Sequence, residues 1–296
     1  MFRRKNLSAL LFVLLSIPVS KIYSQPGGDD FFQEIRKEVE SGADIDAGSK
    51  KEYGRTMLMV AVKKNSLETV EYLISQGVNV NIQDAYGETA LMIAAYDNNT
   101  EIAKLLIENG ADVNMKNDLG VTALMKTAFE NSLGAARYLI KCGAEVNLKS
   151  RFGTTALMRA AYYDSPEIAK LLIENGADVN AKNNIGWTAL RLAANNDSYK
   201  TAKLLLDKKV GINVKDKYGW TPLMGAVDND SFKVAILLIE QGADANISDK
   251  EGWSVQEWAQ ENRTLEVAEV LLRKAEYIRS QNESEEISKI KERYVP

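Results

Sequence analysis

The stretch GETALMIAAYDNNTEIAKLLIENGADVN, from Gly87 to Asn114, decides the fold because its parts return along the chain at one fixed spacing. Its TALM begins at Thr89, returns 33 residues later at Thr122, and returns again at Thr155 after the same interval. The positions on this spacing are Thr56, Thr89, Thr122, Thr155, Thr188, Thr221 and Ser254. Such a period indicates a repeat protein, in which each repeat is one supersecondary unit and neighbouring units bury a shared core.

A glycine precedes each of these residues by two positions. The set is Gly54, Gly87, Gly120, Gly153, Gly186, Gly219 and Gly252. Glycine at the same place in every unit indicates a turn with positive φ, a conformation that glycine adopts at little cost. The threonine that follows is expected to cap a short helix, because its hydroxyl can accept an otherwise unpaired backbone N–H.

The second half of each unit predicts a turn and a second helix. The turn is expected at residues that tolerate a left-handed backbone, namely Asn98, Asn131, Asp164, Asp197 and Asp230. An apolar stripe with helical spacing follows. It ends at a glycine placed as a C-terminal cap, at Gly110, Gly143, Gly176 and Gly242. Lys209 stands at this place in the sixth junction, so we expect that junction to be the weakest and to act as a hinge.

Methionine is the fourth residue of TALM and of its variants in five units. These residues are Met59, Met92, Met125, Met158 and Met224. Because methionine is flexible and apolar, we expect it to fill gaps between units rather than to carry chemistry.

The 33-residue pattern of helix, turn, helix and loop resembles the ankyrin repeat. The family signature has Gly-x-Thr-Pro-Leu-His near its start and Gly-Ala-Asp-Val-Asn near its end. The chain has GWTPLM at 219–224, with methionine in place of the histidine, and NGADVN at 109–114 and 175–180. The resemblance covers roughly residues 29–277 and implies an all-α fold, an α-solenoid of stacked helix–turn–helix repeats with projecting β-hairpin loops. The apolar stripes agree, because no single unit could bury its stripe alone.

The N-terminus has the features of an export signal. Arg3, Arg4 and Lys5 precede an apolar run over 7–19, which is short for a membrane span and typical of a signal peptide. We predict cleavage after Ser24, with an uncleaved anchor as the alternative. The sequence is similar to bacterial ankyrin proteins, some of which act in the periplasm, so we expect an exported, periplasmic protein or, alternatively, a secreted one.

The domain organisation is predicted in five segments. Residues 1–24 are the signal peptide and 25–28 a short linker. Residues 29–52 form an N-terminal capping half-repeat with an inserted loop, and 53–277 form about seven repeats, the last of them degenerate and capping. Residues 278–296 form a charged tail, either a frayed or disordered end or a docking peptide.

The composition excludes several kinds of functional site. The chain has no histidine and a single cysteine, Cys142, so a His-based triad, a His-ligated metal and a multi-cysteine zinc site are all impossible. The net charge of −4 becomes −8 when residues 1–24, with four basic and no acidic residues, are removed. An acidic chain without a basic block argues against nucleic acid and anionic membranes as partners. We therefore predict no enzyme activity, no catalytic residue, no cofactor and no metal.

The resemblance implies that a protein partner binds the concave face, which is formed by hairpin tips and first helices. Aromatic side chains recur at the corresponding positions, and such residues are common anchors of protein interfaces. The predicted binding residues are Trp187, Trp220, Trp253, Tyr86, Tyr96, Phe129, Phe152, Tyr162 and Tyr218. The alternative is that the tip aromatics only pack across adjacent hairpins. Asn195, Asp228 and Glu261 make the later first helices acidic, which favours a partner with apolar groups and some positive charge.

These features together predict a monomeric, non-enzymatic scaffold that binds proteins. An effector secreted to engage host proteins is the alternative. A ligand-binding or enzymatic accessory protein is a more remote one.

Overall fold

The computed structural model describes residues 29–49, 53–255 and 257, and within these ranges every regular element is an α-helix. The thirteen helices are α1 Asp29–Glu40, α2 Met57–Lys63, α3 Leu67–Ser75, α4 Ala90–Tyr96, α5 Thr100–Glu108, α6 Ala123–Lys126, α7 Leu133–Lys141, α8 Ala156–Tyr162, α9 Pro166–Glu174, α10 Ala189–Asn195, α11 Tyr199–Leu206, α12 Pro222–Asp228 and α13 Phe232–Glu240. The predicted signal segment, linker and tail, and most of the seventh unit, lie outside the described residues.

The helices stack as two parallel rows. The first helices α2, α4, α6, α8, α10 and α12 contact one another in chain order, and the second helices α3, α5, α7, α9, α11 and α13 do the same. Helix α1 packs on α3 and buries Ile35, so it extends the second row by one helix. This arrangement is the predicted all-α repeat solenoid. None of the helices described is long and apolar enough to span a bilayer.

The residues that recur in each repeat determine the local backbone conformation. The hydroxyl of Thr89 accepts the backbone N–H of Met92 at 3.2 Å, and the same cap forms at every threonine on the 33-residue spacing from Thr56 to Thr221. Asn98 has φ 58° and Gly87 has φ 72°. A Cβ on Gly87 would lie 2.7 Å from the backbone nitrogen of Asp118, so glycine here also permits close approach of the next repeat.

The five TALM-type methionines are fully buried. They lie among the leucines and alanines of the first helices, in one continuous apolar core that runs along the stack. The predicted packing role of these methionines is confirmed.

The loops between units are turns, and the described residues contain no β-strand. Only two isolated bridges occur, Ser49 with Arg55 and Ser248 with Ser254. The side chain of Asp84 takes the backbone N–H groups of Tyr86 and Glu88, each at 2.9 Å. Because a side chain satisfies these donors, the expected β-hairpins do not extend into ladders.

Asparagines on the other side of the stack join successive loops. Asn114 donates its amide to the carbonyl of Gly143 at 3.1 Å and accepts the backbone N–H of Glu145 at 2.9 Å. Asn81 and Asn147 make the same pair of contacts. In the described part of the chain, Asn180 and Asn213 have only the second contact, from the backbone N–H of Gly211 at 3.2 Å and of Asp244 at 3.0 Å.

The junction at Lys209 is therefore held by fewer contacts, and Lys209 itself has φ 55°. An L residue with this backbone costs about 1 kcal/mol relative to glycine. Lys209→Gly is expected to raise the free energy of unfolding by about that amount, measured by urea denaturation. Lys208→Gly, one residue earlier and not left-handed, is the control and is expected to lower it.

Hydrogen exchange tests the hinge that we predict there. Amides of residues 200–215 are expected to exchange faster than those of 101–116, which occupy the same place in an earlier repeat. Equal protection of the two segments would contradict a weak sixth junction.

Candidate functional site

The candidate site is the first-helix face, which we define as the loop tips and the outward sides of the first helices. Two of the nine predicted binding residues are exposed there, Tyr86 by 44% and Tyr218 by 56%, whereas Trp187 is only 7% exposed. The others are half-buried: Tyr96, Phe129, Phe152, Tyr162, Trp220 and Trp253.

Aromatic rings from three consecutive repeats meet at the centre of this face. The rings of Tyr96 and Phe129 stack at 4.5 Å, and Phe129 meets Tyr163 edge-on at 5.0 Å. Tyr162 meets Tyr163 edge-on at 4.9 Å. We call these four residues the aromatic cluster. Three of them, all except Tyr163, belong to the predicted set and come seven residues after a capping threonine, so the repeat spacing brings them together.

A shortened helix places the central ring of this cluster. Helix α6 ends at Lys126 after four residues, and Phe129 lies in the turn that follows. Thr127, at a position where the other first helices have alanine, donates its hydroxyl to the carbonyl of Leu124 at 2.8 Å. Hydroxyl groups that bond back to the helix in this way bend or end it, which accounts for the early stop.

Paired charges frame the aromatic cluster. Lys63 Nζ lies 2.8 Å from Asp97 and 5.9 Å from the ring centre of Tyr96. Lys126 Nζ lies 2.6 Å from Glu88 and 5.6 Å from the same ring. Both lysines thus bridge neighbouring repeats by an ion pair and a cation–π contact.

Tyr162 and Tyr163 of the cluster are neutral at physiological pH. Burial raises the pKa of Tyr162 and of Tyr163 above the ordinary value because the charged phenolate loses its hydration. Their hydroxyl groups therefore remain hydrogen-bond donors.

The exposure expected for Trp187 is wrong. Its indole nitrogen donates to Oδ2 of Asp216 in the next repeat at 2.9 Å, and the guanidinium of Arg191 lies over its ring at 5.1 Å. The same guanidinium lies 5.5 Å from the ring centre of Trp220. Packing across adjacent repeats, the alternative considered for the tip aromatics, is what the structure shows for Trp187.

The burial of Trp187 belongs to a rule that other junctions share. At three junctions the residue before the capping threonine contacts the residue that organises the loop of the next repeat, as Trp187 does with Asp216. Arg55 faces Asp84, with Nε and Oδ2 3.6 Å apart, and Glu88 accepts the side-chain amide of Asn117 at 2.6 Å. Positions that seem exposed on a single repeat are therefore covered by its neighbour.

Arg191 occupies the place of the TALM methionine in the fifth unit. It is buried, with Nε 4.0 Å from Oδ2 of Asp216 and Nη1 donating to Asn195. Burial lowers the pKa of Arg191 to about 10, against the opposing charges of Asp216 and Asp228, so the guanidinium remains charged at neutral pH. Its tip occupies space left by Gly225 in the next helix.

Arg159 on α8 is a second buried cation that sequence reasoning missed, with only 7% of its surface exposed. A departure from the repeat pattern was the available signal for both arginines. Arg191 replaces a methionine, and Arg159 stands four residues after its threonine, where Val60, Ile93 and Leu192 stand in other units.

No three or more acidic or cysteine side chains converge anywhere in the described ranges in a way that could hold a metal ion.

No curated protein matches the chain significantly. The family model described as ankyrin repeats (3 copies) matches residues 27–117, 112–183 and 191–282, which is well over half of the 296 residues. Ankyrin repeats are generally protein–protein interaction modules. On the strength of this match and of the stacked helix pairs that carry it, the chain belongs to the ankyrin-repeat family.

Proposed function

We propose that this protein is a non-enzymatic scaffold that binds another protein through its first-helix face. The aromatic cluster is the observation that carries the proposal. Its half-buried rings offer a large, rigid contact area at low entropic cost, and interface hot spots are enriched in such residues. Ion pairs to Asp97 and Glu88 hold the lysines around it, so the surface is already ordered before a partner arrives.

The proposed contact surface differs from the predicted set in two respects: Tyr163 is added and Trp187 is removed. The aromatic cluster forms its centre, and Tyr86 and Tyr218 extend it along the loop tips, where both are exposed. Phe152, Trp220 and Trp253 remain predicted contacts. Trp187 is assigned a positioning role, because its ring is buried against Arg191.

Export is part of the proposal. It is supported by the basic and apolar pattern of residues 1–24. We propose a monomer in the periplasm, with a secreted effector that engages host proteins as the alternative. Cell fractionation separates these: recovery of the protein from the medium instead of the periplasm favours the effector.

The aromatic cluster is tested by Phe129→Ala combined with Tyr163→Ala. Two truncated hot-spot side chains cost about 1–2 kcal/mol each, so we expect at least about a tenfold loss of affinity. The partner is first identified by crosslinking in cells, and its Kd for the purified protein is then measured. Circular dichroism of the variant checks that the repeats remain folded.

The matched control removes three lysines of the second-helix row, Lys104, Lys170 and Lys203. Alanine at these positions is expected to leave the affinity unchanged. Loss of binding in this control, with binding retained in the aromatic variant, would show that the partner uses the opposite face.

A further inference from the structure

Arg159 is a buried cation without a counterion of its own. Its Nε is buried and has no hydrogen-bond partner, and no carboxylate of the described residues lies within ion-pair distance of its guanidinium. Arg55 and Arg191, the other arginines with little exposed side chain on this face, also have a buried Nε without a hydrogen-bond partner, but the next repeat supplies a carboxylate to each: Asp84 lies 3.6 Å from Arg55 and Asp216 lies 4.0 Å from Arg191. Arg159 is thus the exception among these three arginines.

The carboxylate whose charge acts on Arg159 already has other partners. Glu88 is the carboxylate whose charge acts on Arg159, but its Oε1 accepts from Lys126 Nζ and from the amide of Asn117, each at 2.6 Å. One carboxylate therefore serves two cations, and the centre of the first-helix face carries an excess positive charge.

Folding does not require this cation. Valine, isoleucine and leucine fill the same position in three other repeats, at Val60, Ile93 and Leu192, whereas Lys126 and Gly225 fill it in the third and sixth. A buried charge without a partner is costly, and burial indeed lowers the pKa of Arg159 below the ordinary value. A costly group at a position where apolar residues suffice is better explained by binding than by stability.

We propose that Arg159 binds a carboxylate of the partner protein, from an aspartate or glutamate side chain that lies beside an apolar residue. The inference rests on the proposed function and specifies the partner's chemistry. A guanidinium matches a carboxylate with two parallel hydrogen bonds. The adjacent aromatic cluster receives the apolar residue, and the neutral hydroxyl of Tyr163, the other group whose charge would act on Arg159, supplies a further donor.

The charge expected of the partner is therefore mixed. The acidic later helices favour positive groups, as the sequence predicts, whereas the central repeat requires one negative group. A partner segment with an acidic residue beside an apolar one, and basic residues further along, satisfies both requirements.

Benzoate is the probe for this site, because it joins a carboxylate to a ring, and benzamide is its neutral counterpart. The Arg159 Nε–H signal of the purified protein is followed by NMR and assigned from its absence in Arg159→Leu. Benzoate is expected to shift this signal saturably at millimolar concentrations and to raise the melting temperature. Benzamide is expected to do neither.

Arg159→Leu introduces the residue that the next repeat carries at the same position, Leu192. The variant is expected to lose the benzoate response and to melt about 2–4 °C higher without ligand, because an unpaired buried charge is replaced by an apolar side chain. Arg151→Leu removes an exposed arginine from the loop tip of the same repeat and is expected to keep the full benzoate response.

Several results would overturn the proposal. An equal response to benzamide would show a merely apolar site, and a benzoate response retained in Arg159→Leu would place the anion elsewhere. A lower melting temperature of Arg159→Leu, with no benzoate response in either protein, would make the arginine structural. A stronger effect of inorganic phosphate than of benzoate would contradict the choice of a carboxylate.

The test of the carboxylate site can fail independently of the test of the aromatic interface. If the variant with alanine at Phe129 and Tyr163 loses partner binding, but the unmodified protein does not respond to benzoate, only the carboxylate site is refuted. A specific benzoate response with partner binding unchanged in that variant refutes the aromatic interface and leaves the anion site standing.

Discussion

Replacing Trp187 with alanine is expected to lower the free energy of unfolding by about 3–5 kcal/mol, the usual cost of truncating a buried aromatic side chain. The indole is buried, donates to Asp216 at 2.9 Å and covers one side of Arg191. Its loss leaves a cavity, removes a hydrogen bond across the junction and takes a cation–π contact from a buried cation. Chemical denaturation followed by circular dichroism measures the change.

Tyr218→Ala is the matched control, since Tyr218 is also a loop-tip aromatic but is 56% exposed. We expect its effect on stability to stay within about 0.5 kcal/mol. If Trp187→Ala cost no more than this control and instead abolished partner binding, Trp187 would be a binding residue after all.

The second large effect is expected for Gly225→Ala. A Cβ on Gly225 would overlap the Nη1 atom of Arg191, whose guanidinium is held between Trp187 and Trp220. Because the arginine cannot move without losing these contacts, we expect destabilisation by about 1–3 kcal/mol, as in other overpacked cores.

A double-mutant cycle identifies the cause. Arg191→Met introduces the residue type found at this position in five other units and removes the overlap. In that background Gly225→Ala is expected to be nearly neutral, which corresponds to a coupling energy of about 1 kcal/mol or more. Additive costs of the two changes would mean that Gly225 matters for a reason other than Arg191.

The sequence was sufficient for the architecture because its strongest signals act locally. A threonine cap at Thr89, a left-handed turn at Asn98 and a glycine end at Gly110 each depend on a few neighbouring residues. Repetition at one spacing then converts these local conformations into a stack. The aromatic cluster was predictable in large part for the same reason, since three of its rings share one repeat position.

The burial of particular side chains could not be predicted from the local repeat pattern. Trp187 and Tyr218 are both aromatic residues of loop tips, and their different exposure depends on side chains of other helices and of the following repeat. Trp187 is covered because Asp216 and Arg191 lie against it. The turn-like form of the loops also depends on a side chain, that of Asp84, which takes backbone donors that a strand would use.

The contact between the residue before a cap and the next loop has a consequence for the order of the repeats. The three junctions that have it use different pairs: Arg55 with Asp84, Glu88 with Asn117 and Trp187 with Asp216. Excision of residues 89–121 would preserve the helical period but bring Glu88 opposite Ser150, whose side chain is shorter than that of Asn117, the residue that donates its amide to Glu88 at 2.6 Å. Repeats of equal length are therefore not interchangeable at these junctions, because the side chains that pair across them differ.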